Sequence, residues 1–449
     1  HPQFDGTEGI LARVSLAGGS PREVAEDIGG ADWSPDGKEL ALVRSGDSGR
    51  LEFPLGAPIL ESAFMSHPRV SPRGDAVAVF EGQSFFTCAV VLVDRRGVKR
   101  TLTGYDNRGC SGLAWSRDGG EVWFTAADAS GNYSIRAVDL EGHQRIVHAN
   151  PGALSLRDIS RSGGDVLLTR RTLRFRVQAH VPGGEGERDL SWLNDSYVKD
   201  LSADGTTLIL GEFQGAAGAN PIFMRKTDGS PAVRLGDGDG GRLSPDGKWV
   251  VTLSGDPPHI VLLPTGAGQP RVLPTGPARI AAVEWFHDGL RVLAHGHTDG
   301  PKPACVTWTQ DIDGSAVVPI LEGYGGRMPS PDGRLVLANK NEGGPLALCP
   351  VAGGSCGNVP GLDPDGDWPL RWSPDGRSLL VARRKPLQLT LARIDVATGR
   401  VEILKVVSPS EPDGVFGFGG RTGITPDGRY YAYSYGRSLG DLYLVRGLR

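Results

Sequence analysis

The sequence predicts an all-β protein built from repeated four-stranded antiparallel blades, and three observations predict it. A Ser-Pro-Asp-Gly turn or a close variant returns about every 43 residues along the whole chain. Each copy sits between two strand-like runs, as before Trp33-Ser34-Pro35-Asp36-Gly37 and after it in Lys38 to Val43. Composition joins 66 glycines and 33 prolines in 449 residues to a hydrophobic content of 39%. Many tight turns between short buried strands give that mixture, whereas a disordered chain would lack the apolar share.

The turn comes first. Ser can bond back to the backbone, Pro presets φ at the second position, Asp tolerates the third and Gly relieves the fourth. Further copies stand at Ser71, Ser116, Ser244, Phe286, Ser330, Ser373 and Thr425, with weaker ones at Ser160 and Ser202. An alternating run follows each, as in Lys248 to Leu253, so the turn links an antiparallel hairpin. A third strand such as Ala89 to Asp94 then leads through a Gly turn to a fourth, Lys99 to Thr103. Four antiparallel strands per repeat is the anatomy of a β-propeller blade. No repeat carries helical periodicity.

About ten blades exceed the usual content of one ring. The expectation is two packed rings, residues 1–195 and 196–449, with the boundary inside 150–240; one large ring is the alternative. The chain ends fall within blades. Residues 9–26 read as a third and a fourth strand, and Asp441 to Val445 as a third strand without a fourth. The opening His1-Pro2-Gln3-Phe4 lacks Met and matches the heart of a streptavidin-affinity tag, so no function is read from it.

A net charge of −4 provides no basic surface for nucleic acid. No apolar run is long enough for a membrane helix. Gly236 to Gly241 has the spacing of a dinucleotide fingerprint, but it precedes a strand and carries two aspartates, so it reads as a flexible loop. Asp363-Pro364-Asp365-Gly366-Asp367 resembles a calcium loop without the required Gly and Glu. His295, His297 and Asp299 form a weak metal candidate that lacks a further ligand at a recognisable spacing. Tyr433-Ser434-Tyr435 faintly resembles a nucleophile elbow, yet no His follows it, which removes a hydrolase triad. No cofactor is expected.

Cys349 and Cys356 flank a Gly353-Gly354 turn and could pair as a disulfide across a hairpin; two small buried thiols are the alternative. Cys88 and Cys110 belong to neighbouring strand regions, which leaves Cys305 over. Two residues before the Ser equivalent, seven repeats place a charge: Asp32, Arg69, Asp158, Asp200, Arg242, Glu284 and Arg371. These positions should lie beside the central channel, while the following Trp33, Trp115, Trp285 and Trp372 pack between blades. Opposite signs fall on neighbours, Asp32 with Arg69, Asp200 with Arg242, and Arg242 with Glu284. Structural ion pairs between blades, or a polar funnel for a ligand or an extended terminus, both follow from this pattern.

The Ser-Pro-Asp-Gly repeats with Trp before the turn resemble the TolB-type, WD-repeat-like propellers. Segments such as Ala12 to Gly19, Ser66 to Pro72, Glu187 to Leu193, Arg225 to Gly236 and Asp441 to Leu448 resemble the C-terminal propeller region of bacterial eukaryotic-like serine/threonine kinases. That resemblance implies an extracytoplasmic sensor following a membrane helix and an intracellular kinase. Kinase motifs are absent from this chain. The function expected is therefore a non-catalytic sensor or binding module that takes a protein, peptide or glycan, touching a membrane only through upstream sequence. An enzyme-associated propeller (a lyase or a peptidase gate) and a cell-envelope scaffold are the alternatives.

Overall fold

The computed structural model describes residues 9–448, apart from 16, 46–48, 85–86, 129–131, 150–153, 161, 163, 213–219, 301, 342–343, 365 and 386. The chain is an all-β propeller protein whose described elements are antiparallel strands. No helix is long and apolar enough to cross a membrane. Two compact units divide it, residues 1–172 with 438–449, and residues 173–437. The sequence expectation put one boundary at 195/196 within the range 150–240.

The repeated turn forms as its chemistry requires. Ser244 Oγ donates to Asp246 Oδ1 at 2.6 Å and accepts from the Trp249 amide at 3.0 Å, while the Gly247 amide donates to the Ser244 carbonyl at 2.9 Å. The same pair of side-chain bonds recurs at Ser34, Ser116, Ser202, Ser330 and Ser373. The hydroxyl bond is the main cause holding the carboxyls of Asp36, Asp246, Asp332 and Asp375 below their ordinary range. Where Arg73 replaces the aspartate, Asp75 supplies the acceptor for Ser71 instead, at 2.6 Å.

In the second unit, five four-stranded sheets begin at the inner strands Ser196–Leu201, Asp239–Leu243, Arg279–Trp285, Tyr324–Pro329 and Asp367–Trp372. A sixth begins at Val415–Ile424 and continues through 431–437 and 173–180 to Arg188–Asp189. Apolar clusters join each sheet to the next. Ile209 and Ile222 meet Val250, Val251 meets Val283, Phe286 meets Val336, and Leu337 meets Trp372. Leu380 meets Tyr433, and Val177 with Ala432 meets Val198. The sixth cluster thus returns to the first sheet and closes the ring.

The first unit holds four strand sets, with inner strands within Arg22–Trp33, Phe64–Val70, Leu113–Trp115 and Leu154–Ile159. Three clusters join them in series: Val43 with Val77, Phe80 with Phe124, and Trp123 with Leu168. Among the described residues no cluster links the fourth set back to the first. One consequence corrects an expectation. Trp115, Trp285 and Trp372 are buried between sheets, but Trp33 is 43% exposed, because among the described residues no sheet of its unit packs on that face.

A second correction concerns the last repeat. Val166–His180 and Tyr431–Val445 are two long strands, each contributing residues to both units. Residues 438–445 therefore act as the third strand of the first unit's fourth set, and residues 173–180 fill the third position of the sheet that holds 431–437. Likewise Arg22–Trp33 runs on without a break from its pairing with Gly9–Arg13 to its pairing with Leu40–Arg44.

Both cysteine pairs are disulfides, Cys349–Cys356 and Cys88–Cys110. Their sequence separations are 7 and 22 residues. The chain-entropy account then predicts losses of about 2 and about 3 kcal/mol on paired Cys→Ala substitution. Denaturant midpoints of the two variants check this order; equal losses would contradict it.

Candidate functional site

The seven charged positions gather into two groups. In the first unit, Asp32 Oδ2 accepts from the Val70 amide of the next inner strand at 2.8 Å, and its Oδ1 lies 3.9 Å from Arg69 Nη1. Arg69 also donates to the Leu113 carbonyl at 2.8 Å and to the Arg157 carbonyl at 3.0 Å, so one side chain ties four inner strands together. Burial raises the Asp32 pKa, the Val70 amide and Arg69 oppose it, and Asp158 adds repulsion. Asp158 caps its own strand end through the Ile159 amide at 2.8 Å.

The second unit carries the larger network. Asp200 accepts from its own Leu201 amide at 2.9 Å and from the Leu243 amide of the next inner strand at 3.0 Å. Arg242 Nη1 stands 3.5 Å from Asp200, and its Nε stands 2.8 Å from Glu284 Oε2, without an aligned hydrogen bond at Nε. Arg371, two sheets from Asp200 around the ring, donates to Asp200 Oδ1 at 3.1 Å and to the Leu201 carbonyl at 2.9 Å. All three sign pairs expected between neighbours are therefore present as contacts. Trp115 and Trp285 add a matching indole bond, each donating Nε1–H to the carbonyl of the preceding arginine, Arg69 at 3.0 Å and Arg242 at 2.9 Å.

Two cations in this network were missed in the sequence. Arg421, on the sixth inner strand, reaches Glu284 on the third, directly opposite, at 3.7 Å, and is 48% exposed. Lys199, buried between the first and second sheets beside Gly211 and Gly241, donates from Nζ to the Gly238 carbonyl at 3.2 Å, with the Tyr197 ring 5.2 Å away. Both come from β-bulges. The register jumps from Val198 to Asp200, leaving Lys199 as the extra residue, and from Gly419 to Gly423, leaving Gly420, Arg421 and Thr422 opposite Tyr433. A break in the pairing step occurs in every inner strand of the ring, although in Arg279–Trp285 it falls earlier, between Ile280 and Ala282.

Burial disfavours the charged form of Glu284 and raises its carboxyl pKa, with Arg242 the chief opposing influence. Desolvation and then Arg371 push the His287 imidazole below its ordinary value. Burial lowers Lys199 from 10.5 to about 8, opposed by Asp239. The folded protein thus sheds this proton earlier than the unfolded chain, so the penalty for burying Lys199 fades as pH climbs from about 8 to 10.5. Lys199→Met should therefore gain stability over the parent at pH 7 and lose that advantage above pH 10.5, as read from urea midpoints across that range. A pH-independent difference would contradict the assignment.

The remaining candidates lie elsewhere. His295 is buried with Nδ1 2.8 Å from the Gly326 carbonyl, and among the described residues no group of three or more His, Cys, Asp or Glu side chains could hold a metal. His297 pairs in register with Cys305 and Arg279, while Asp299 lies beyond the strand end. The Gly236 to Gly241 segment is not the loop expected. It ends one strand and begins the next, because the Gly238 amide donates to Asn220 and Thr252 Oγ1 donates to the Asp239 carbonyl. In the calcium-like segment Asp365 lies outside the described residues, and Asp367 pairs with Arg383 at 2.6 Å. Ser434 is in the second strand of its sheet, as expected, and accepts from the Val198 amide at 2.7 Å.

No protein-family model matches the sequence, and no curated protein matches it. Solved structures share the propeller fold. A putative TolB from Agrobacterium tumefaciens is 20% identical, with a TM-score of 0.42, over 60% of this chain and 99% of its own. The tricorn protease is 12% identical at a TM-score of 0.39, over 98% of this chain and 60% of its own. An oligogalacturonate lyase from Vibrio parahaemolyticus is 11% identical at a TM-score of 0.27, over 76% of this chain and 96% of its own.

Proposed function

We propose that this chain is a non-catalytic binding module, in which the charged channel of the second unit receives an extended protein or peptide segment outside the bacterial cytoplasm. The observation that carries this reading is the chain of contacts Arg371–Asp200–Arg242–Glu284–Arg421, which spans the ring from five different inner strands. Its carboxylates and guanidiniums are committed to one another, an arrangement suited to recognition and poor for proton transfer. Arg421 and Arg371, the most exposed members, are the groups a ligand carboxylate would meet first. The two disulfides fit an oxidising compartment. The kinase resemblance adds the finer proposal that binding is reported through a membrane helix to a serine/threonine kinase.

Selection of displayed random linear peptides on the whole protein tests the channel role. Enriched peptides should carry acidic groups, and Arg421→Ala should weaken them about tenfold, equivalent to about 1.4 kcal/mol. Enrichment indifferent to Arg421, or turnover of polygalacturonate or aminoacyl fluorogenic substrates that Arg421→Ala abolishes, would contradict the reading. The coding sequence upstream tests the finer part, since it should hold a membrane span and kinase motifs; another enzyme there would overturn it.

A further inference from the structure

The fourth strand set of the first unit holds three described strands where its neighbours hold four. Leu154–Ile159 pairs with residues 166–172, and these in turn neighbour 438–445. Arg170 Nη2 donates to Asp441 Oδ2 at 2.8 Å, and Arg171 Nε donates to Ser438 Oγ at 2.8 Å, which fixes that edge. Among the described residues no strand pairs with the other edge of 438–445.

The side chains on one face of this segment are also uncovered, since among the described residues no cluster packs the fourth set onto the first. Third strands elsewhere are buried, as in Thr87–Asp94, Tyr133–Asp139, His259–Pro264 and Cys305–Asp311. Fourth strands are exposed and mixed, as in Lys99–Thr101 and Val401–Val407. Residues 438–445 have the apolar content of a third strand and the exposure of a fourth. Leu442 is 66% exposed and Leu444 60%, while Val445 on the opposite face packs against the core. A long apolar edge with unpaired amides and carbonyls is a template for another strand, and such edges are normally covered or charged.

We infer that the open edge of residues 438–445 is a strand-acceptor site, taking an extended polypeptide segment as the missing fourth strand. Main-chain hydrogen bonds would give the affinity, and apolar residues at alternate positions of the incoming segment would flank Leu442 and Leu444. The chain's own fourth strands define the chemistry, alternating as in Val401-Glu402-Ile403-Leu404-Lys405-Val406-Val407. This inference is independent of the channel reading.

A fluorescein-labelled peptide of the 401–407 sequence is the probe, titrated into the whole protein by anisotropy. Saturable binding is expected, with amide-exchange protection confined to 438–445 and little change between low and high salt. Leu442→Lys with Leu444→Lys should weaken it about tenfold at an unchanged melting temperature, since both side chains lie in solvent. Arg421→Ala should leave it intact. Absence of saturation overturns the inference, as does protection elsewhere. Concentration-dependent self-association that protects 438–445 without peptide also overturns it, making the edge an interface between copies of the chain.

Discussion

Arg242→Ala should destabilise the protein by about 3–5 kcal/mol at neutral pH, the largest expected loss at any charged position in the ring. Arg242 is 9% exposed between Asp200 and Glu284, so truncation leaves two shielded carboxylates without their shared cation. The loss depends on pH with a defined sign. The Glu284 pKa is raised by burial, so its contribution favours folding below the unfolded value of 4.5 and is lost as pH rises through the raised one. Without Arg242 the pKa climbs further. The deficit against the parent should then be widest at neutral and alkaline pH and narrow towards pH 4.5. Arg242→Ala with Glu284→Gln should recover part of the loss. Denaturant midpoints across this range check the prediction, and a deficit that grows on acidification would contradict it.

Gly112→Ala is expected to be the most damaging single methyl in the first unit. Gly112 has φ of +76°, where an L side chain costs about 1–2 kcal/mol. A Cβ there would also stand 1.7 Å from the Leu156 carbonyl oxygen on the next inner strand. The strands must part, at roughly 1–3 kcal/mol more. The contact matters because the Leu156 amide is held by Thr125 Oγ1 at 2.9 Å and the Gly112 carbonyl accepts from the Thr125 amide at 3.1 Å. Gly37→Ala is the control, since φ is +69° there and nothing lies within 4 Å, so the backbone cost stands alone. Chemical denaturation of the two variants separates the costs; equal losses would show that the Leu156 contact does not constrain the fold.

The blade was legible in the sequence because its signals are local. Ser, Pro, Asp and Gly act within four residues of one another, and alternation marks the strands either side. The charge pairs were legible because the repeat places Asp200, Arg242 and Glu284 at one level on consecutive inner strands. Lys199 and Arg421 were not, since a bulge is a property of pairing register that composition does not reveal. Long-range exchange was hidden for a related reason. Nothing near Asp441 indicates that its strand serves a different sheet from Tyr433, because that depends on two strands running far beyond ordinary blade length. Trp33 carries the same local signal as Trp115, and only the missing neighbour sets it apart.

The channel of the second unit is the centre of this account, and amide exchange with a selected acidic peptide tests it most directly. Protection should concentrate on the inner strands Ser196–Leu201, Asp367–Trp372 and Val415–Ile424, which carry Asp200, Arg371 and Arg421. Protection confined to outer strands such as Val401–Val407, with these inner strands unchanged, would contradict it.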